Sequence, residues 1–192
     1  MKIKYFLFGL MALVGFILLT GTYAFASTDG SSDLLSEVKV FDGNGNQIPY
    51  TTEELKQHVR FEAAVKNLNP IMDTPITTLA NYRTYSYGPM NFSNNFYIGP
   101  GYNGMAFLNP FDTLITVNGT AKKIKVNAFN DTGTGSGKLA RSIELPGGWR
   151  GTVHISSWSN LPSGKYRFRI DNLDRESFTI NNITVWFDPL IM

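Results

Sequence analysis

The sequence predicts an all-β chain folded as a single antiparallel β-sandwich, jelly-roll-like, with one short helix near residues 52–58 and a cleaved signal peptide in front. Three observations predict it. Apolar and polar residues alternate with period two in short runs, each giving one buried face. Clusters of Gly, Pro, Asn, Asp and Ser separate those runs at intervals of roughly 8–12 residues. Only one segment carries a helix-start signature.

Lys2 and Lys4 precede an apolar stretch from Tyr5 to about Leu19, and Ala24-Phe25-Ala26 stands before Ser27. A basic start, an apolar core and an A-x-A site form a secretory signal, with cleavage expected between Ala26 and Ser27. Tyr5 to Ala26 is long enough to span a bilayer. Gly9, Gly15, Gly21 and the cleavage site favour removal instead. Residues 27–36 are polar and read as a flexible mature N-terminus. Residues 37–192 read as one sandwich domain.

Val38 and Val40 alternate with Glu37 and Lys39, a first strand, and Asp42-Gly43-Asn44-Gly45-Asn46 is a hairpin turn leading to Ile48. Thr51 with Glu54 three residues on is a capping box opening a short helix. Val59, Phe61, Ala63 and Val65 alternate with Arg60, Glu62, Ala64 and Lys66, a further strand. Ile115 and Val117 precede Asn118-Gly119, a hairpin signal. Ile124, Val126 and Ala128, then Leu139 to Leu145, then Val153 and Ile155, then Tyr166, Phe168 and Ile170 mark successive strands. In the last strand Phe178 and Ile180 have one parity and Ile183, Val185 and Phe187 the other. Asn181-Asn182 is therefore the expected site of a β-bulge.

Cysteine is absent, which excludes a disulfide, a thiolate metal site and a lipid-modified cysteine anchor. A secreted chain of this size without cysteine is typical of a bacterium, and the Asn-X-Ser/Thr sequons at Asn91, Asn118, Asn130 and Asn182 read as accidental. The 17 Lys and Arg include Lys2 and Lys4, so the mature chain has 15 bases against 15 acids. With no basic run beyond Lys122-Lys123, nucleic acid is not an expected partner. After cleavage no apolar run approaches 18 residues, so no stable membrane anchor is expected.

Chemistry-bearing motifs fail one after another. Asp42, Asn44, Asn46 and Glu53 match calcium-loop spacing, but Gln47 replaces the glycine the sharp turn needs. Gly133 to Lys138 lacks the first glycine of a phosphate loop, and Leu139 replaces its hydroxyl residue. Ser136 has Thr134 and Lys138 at the two positions where a nucleophile elbow needs glycine. His58 and His154 have no zinc spacing. Glu144, Asp171, Asp174, Glu176 and Asp188 offer pairs for glycoside hydrolysis, but carboxylates at such positions are ordinary surface residues. The reading is therefore not an enzyme, with no catalytic residue, metal or cofactor assigned.

One segment stands out. Thr84 to Phe111 holds 28 residues without a charge, and it interleaves eight Tyr and Phe rings with Gly, Asn, Ser and Pro. Rings cover apolar sugar faces, and amides and hydroxyls bind sugar hydroxyl groups. The expected function is a secreted, extracellular, non-catalytic module that binds a polysaccharide or cell-wall polymer. Its expected contacts are Tyr82, Tyr85, Tyr87, Tyr97 and Tyr102, with Trp158 exposed at a loop tip. Phe96, Phe107 and Phe111 are expected to pack inward. Trp186, His154, Arg167 and Arg169 fall on polar parities and would form an Arg–Trp surface if their strands were neighbours. The alternative is a self-assembling structural or matrix protein using the same rings for self-association. A membrane-active toxin is third.

Overall fold

The computed structural model describes residues 30–63 and 82–189, with side chains from 33 onward. The signal expected over residues 1–26 lies outside them, as does Val65. The elements run α1 (Gly30–Glu37), β1 (Lys39–Asp42), β2 (Gln47–Ile48), α2 (Thr52–His58), β3 (Val59–Glu62), β4 (Arg83–Tyr87), β5 (Met90–Phe92) and β6 (Asn95–Tyr97). They continue with β7 (Ala106–Leu108), β8 (Asp112–Val117), β9 (Ile124–Asp131), β10 (Ser136–Leu145), β11 (Gly151–Ile155), β12 (Lys165–Asn172), β13 (Phe178–Ile180) and β14 (Asn182–Phe187). A 3-10 turn, Ser157–Asn160, follows β11.

These strands form two main antiparallel sheets. The first has seven strands in the order β2-β1-β10-β9-β12-β6, with β7 sharing β12's outer edge with β6. The second has five, in the order β3-β11-β8-β14-β4, and β13 pairs with β5 in a small third sheet. The period-two pattern explains the layering. In β12 Tyr166, Phe168 and Ile170 are buried while Arg167, Arg169 and Asp171 face outward. In β8 Thr113, Ile115 and Val117 are buried, and in β14 Ile183, Val185 and Phe187. The inner faces meet through a chain of rings. Phe107 of the first sheet lies 5.2 Å from Phe187 and 5.8 Å from Tyr85 of the second, and 5.9 Å from Phe168. Each buried ring of this kind contributes about 2–3 kcal/mol of transfer free energy.

Local signals explain the helix. Thr51 Oγ1 accepts from the Glu54 N–H, and Glu54 Oε2 accepts from the Thr51 N–H at 2.7 Å, so the capping box is complete. Leu55 is its buried residue. Asp42 closes the β1–β2 hairpin by accepting from the Asn44 and Asn46 N–H groups at 2.8 Å. Hydrogen bonds from Asn46 lead the set that holds this carboxyl below its ordinary range.

Four local expectations are corrected. The described part of the segment expected to be a flexible N-terminus, residues 27–36, is α1, because Leu35 finds a buried seat beside Val38. Asn118-Gly119 is not a hairpin: β8 lies in the second sheet and β9 in the first, so the chain crosses the sandwich there. Asn181 is not a bulge within one strand. The chain leaves β13 in the small sheet and enters β14 in the second, which lets Ile180 and Ile183 both be buried despite opposite parities. The Arg–Trp surface does not form: Arg167 and Arg169 lie in the first sheet, and His154 and Trp186 in the second.

Candidate functional site: a cleft at one end of the sandwich

The outer face of the first sheet carries an ion-pair network. Arg167 Nε lies 2.7 Å from Asp131 Oδ1, and its Nη1 donates to the Asn103 and Gly104 carbonyls. Arg169 grips Asp171 through two bonds of 2.7 and 2.8 Å, and Asn127 donates to the same carboxylate at 2.9 Å. The Arg169 guanidinium lies 5.1 Å from the Phe129 ring centre and 6.0 Å from that of Tyr97. Lys125 bonds Glu144 at 3.1 Å and sits 4.2 Å from the centre of the Phe41 ring. Burial would raise the Asp131 carboxyl, but the Arg167 hydrogen bond, the Gly133 N–H and the nearby positive charges outweigh it and hold it below its ordinary value. Asp131, Asp171 and Glu144 on this face are each paired with a base from within it.

The outer face of the second sheet is rich in hydroxyls. Thr116 pairs with Thr152 at 3.2 Å and Ser86 with Thr184 at 3.1 Å, while His154 Nε2 lies 3.3 Å from Glu62. Asp112, across from Trp186, keeps Oδ1 buried without a partner among the described residues. Burial raises its carboxyl above the ordinary range, against the Thr113 N–H and the charges of His154 and Arg60.

A cleft of about 320 Å³ opens at one end of the sandwich. Its walls come from four places: Tyr82 just before β4, the β7–β8 turn with Asn109, Pro110 and Phe111, the segment from Trp158 through Ser163 to Tyr166, and Asp188 just after β14. The volume lies in the range of sites for small ligands. The turn is built around Asn109, whose φ of 42° is a left-handed conformation that Asn tolerates better than most residues. Its Oδ1 accepts from the Gly164 N–H at 2.8 Å and from Ser163 Oγ at 3.0 Å, and its Nδ2 donates to Asp188 Oδ2 at 2.9 Å. Backbone bonds from Asn109 N to the Gly164 carbonyl and from Asp188 N to the Leu108 carbonyl pin the three segments together. The polar wall is thus held in place before any ligand arrives. Tyr166 Oη donates to the Pro162 carbonyl at 2.6 Å, and burial pushes its phenol up, against the opposing charge of Arg141.

The aromatic wall has two parts. Tyr82 and Phe111 pack with ring centres 4.5 Å apart at the rim, and Tyr82 is 59% exposed. Trp158 forms the floor. It is 1% exposed and packs edge-on at 4.9 Å against Phe168, so its expected exposure at a loop tip is corrected. The 3-10 turn folds the indole inward under its polar neighbours Ser156, Ser159 and Asn160. Its Nε1 is buried and has no partner among the described residues.

Of the other expected contacts, Tyr85 packs on Phe107 and Tyr87 on Phe96, both half-buried on the inner side of β4. Tyr97 lies beside Arg169 on the first sheet's outer face, and Tyr102 is 95% exposed in the loop between β6 and β7. The cleft therefore brings Tyr82 and Trp158 together and leaves Tyr85, Tyr87, Tyr97 and Tyr102 elsewhere. Phe107 is fully buried, as expected, and Phe96 is half-buried against Phe92. Asn109, Ser163 and Asp188 were not anticipated as contacts. Asn109-Pro110 was the available signal, since an Asn before Pro marks a turn. Comparison with family models, with curated proteins and with solved structures finds no match to this chain.

Proposed function

We propose that this is an exported, non-catalytic module that binds a carbohydrate or cell-envelope polymer, and that the end cleft is its binding site. One observation carries the reading: the cleft sets the rim rings Tyr82 and Phe111 beside a pre-positioned wall of amide, hydroxyl and carboxylate groups from Asn109, Ser163 and Asp188. A flat ring covers an apolar sugar face, and fixed hydrogen-bonding groups read the hydroxyls around it. Export is part of the proposal and rests on residues 1–26.

Purified protein lacking residues 1–26 is passed over insoluble cell-wall polymers and a soluble glycan panel. Retention on at least one polymer, weakened by Tyr82→Ala, is the expected result. A folded protein that binds none of them contradicts the proposal. Self-assembly is the second reading, favoured by β4, which has no partner on its outer side among the described residues. Concentration-dependent oligomers on size-exclusion chromatography, with no glycan bound, would favour that reading.

A further inference from the structure

The charge inside the cleft narrows the ligand class. This inference rests on reading the cleft as a glycan site. Asp188 is the single acidic or basic residue among those lining it. Its Oδ2 accepts from Asn109, and among the described residues no Lys, Arg or His nitrogen lies within 4.0 Å of its carboxylate. On the first sheet's outer face, by contrast, Asp131, Asp171 and Glu144 are each matched to a base. Arg141 lies behind the cleft floor, where its charge acts on Tyr166. It donates to the Ser157 carbonyl and does not line the cleft.

An unmatched carboxylate attracts a cation and repels an anion. The rings act in the same direction. Tyr82 and Phe111 contribute rings at the rim, and the face of an aromatic ring favours an ammonium group, more so as water is removed. We propose that the preferred ligand is a polymer bearing amino sugars with free, protonated amines. The ring of such a sugar would lie against Tyr82 and Phe111, and its ammonium would donate to Asp188. Acylating the amine removes the charge, and a uronic acid replaces it with one of the wrong sign.

Three soluble oligosaccharides of equal length test this by isothermal titration calorimetry: one of glucosamine, one of N-acetylglucosamine and one of galacturonic acid. The glucosamine oligomer should bind about tenfold or more tightly than the acetylated one, and the galacturonate oligomer should bind weakest of the three. Asp188→Asn keeps the side-chain shape and an acceptor for Asn109. It should erase the preference for the amine, bringing the glucosamine oligomer's affinity down to or below that of the acetylated one. In the unmodified protein the preference should also shrink as salt is raised. Equal affinity for the three, or a preference for the uronate, with binding still weakened by Tyr82→Ala, overturns this inference and leaves the glycan reading standing. Failure to bind these oligomers and every member of the glycan panel overturns both.

Discussion

The outer face of the first sheet and the end cleft hold the same kinds of groups, rings beside carboxylates and amides, yet they are arranged to opposite ends. On the sheet face, Asp131, Asp171 and Glu144 are each taken by an Arg or Lys, and the rings of Phe41, Phe129 and Tyr97 cover two of those cations, Lys125 and Arg169. In the cleft, Asp188 meets a neutral amide and no base among the described residues, and Tyr82 at the rim is 59% exposed. A matched set of charges and rings seals a surface. An unmatched set, held rigid by the turn at Asn109, is available to a ligand. What separates the two regions is pairing rather than composition.

The largest expected effect tests where the cleft's own boundary with the core lies. Trp158→Ala should lower unfolding free energy by about 3–5 kcal/mol, because a fully buried ring facing Phe168 is removed. Tyr82→Ala at the rim should change it by no more than about 0.5 kcal/mol. Urea denaturation of both variants checks this. A mild Trp158→Ala would mean that the indole belongs to the site rather than to the core.

Next in size is the sealed face. Arg167→Ala strands Asp131, whose side chain is only 9% exposed, and should cost about 3 kcal/mol by the same measurement. Asp188→Asn in the cleft has no ion pair to break among the described residues and should cost far less. Equal costs would break the comparison.

Smaller effects should appear with pH, and with opposite signs for two carboxyls. Asp131 lies below its ordinary 3.8 when folded, so its stabilising contribution is complete above that value and is lost as pH falls through the lower folded one. Asp112 is raised by burial, so the folded state favours its protonated form. Its contribution is lost as pH rises from 3.8 through the raised folded value. Asp112→Asn should therefore be more stable than the parent at pH 7, with the gap closing towards pH 3.8. Asp131→Asn should be less stable at pH 7, and its gap should hold down to about pH 3.8 and narrow only below it. Thermal unfolding across pH 3–7 reads both.

Much of the scaffold was legible in the sequence because its signals are local. Alternation placed β8, β9, β11, β12 and β14, and Thr51 with Glu54 placed α2. Polar–apolar parity does not say which sheet a strand joins, and this hid the crossing at Asn118-Gly119 and the separation of Arg169 from Trp186. The site was legible only in part. Lack of charge marked Thr84 to Phe111 as aromatic surface, but most of those rings had an inner face to pack on. Tyr85 meets Phe107 across the sandwich, and Phe92 meets Phe178 in the small sheet. Trp158 was misplaced by its Ser and Asn neighbours: Ser159 and Asn160 are exposed on a turn that tucks Ser157 and the indole under. Asn109 and Asp188 are 79 positions apart, and only the fold brings them together.

The proposal puts binding at the end cleft and not along the aromatic segment Thr84 to Phe111. Among the described residues Tyr82 and Tyr102 are the two exposed tyrosines, and of the two Tyr82 lines the cleft. Affinity for the best-retained polymer, measured for Tyr82→Ala and Tyr102→Ala side by side, separates the two directly. A loss of about tenfold or more is expected for Tyr82→Ala and none for Tyr102→Ala. Loss with Tyr102→Ala and retention with Tyr82→Ala would contradict it.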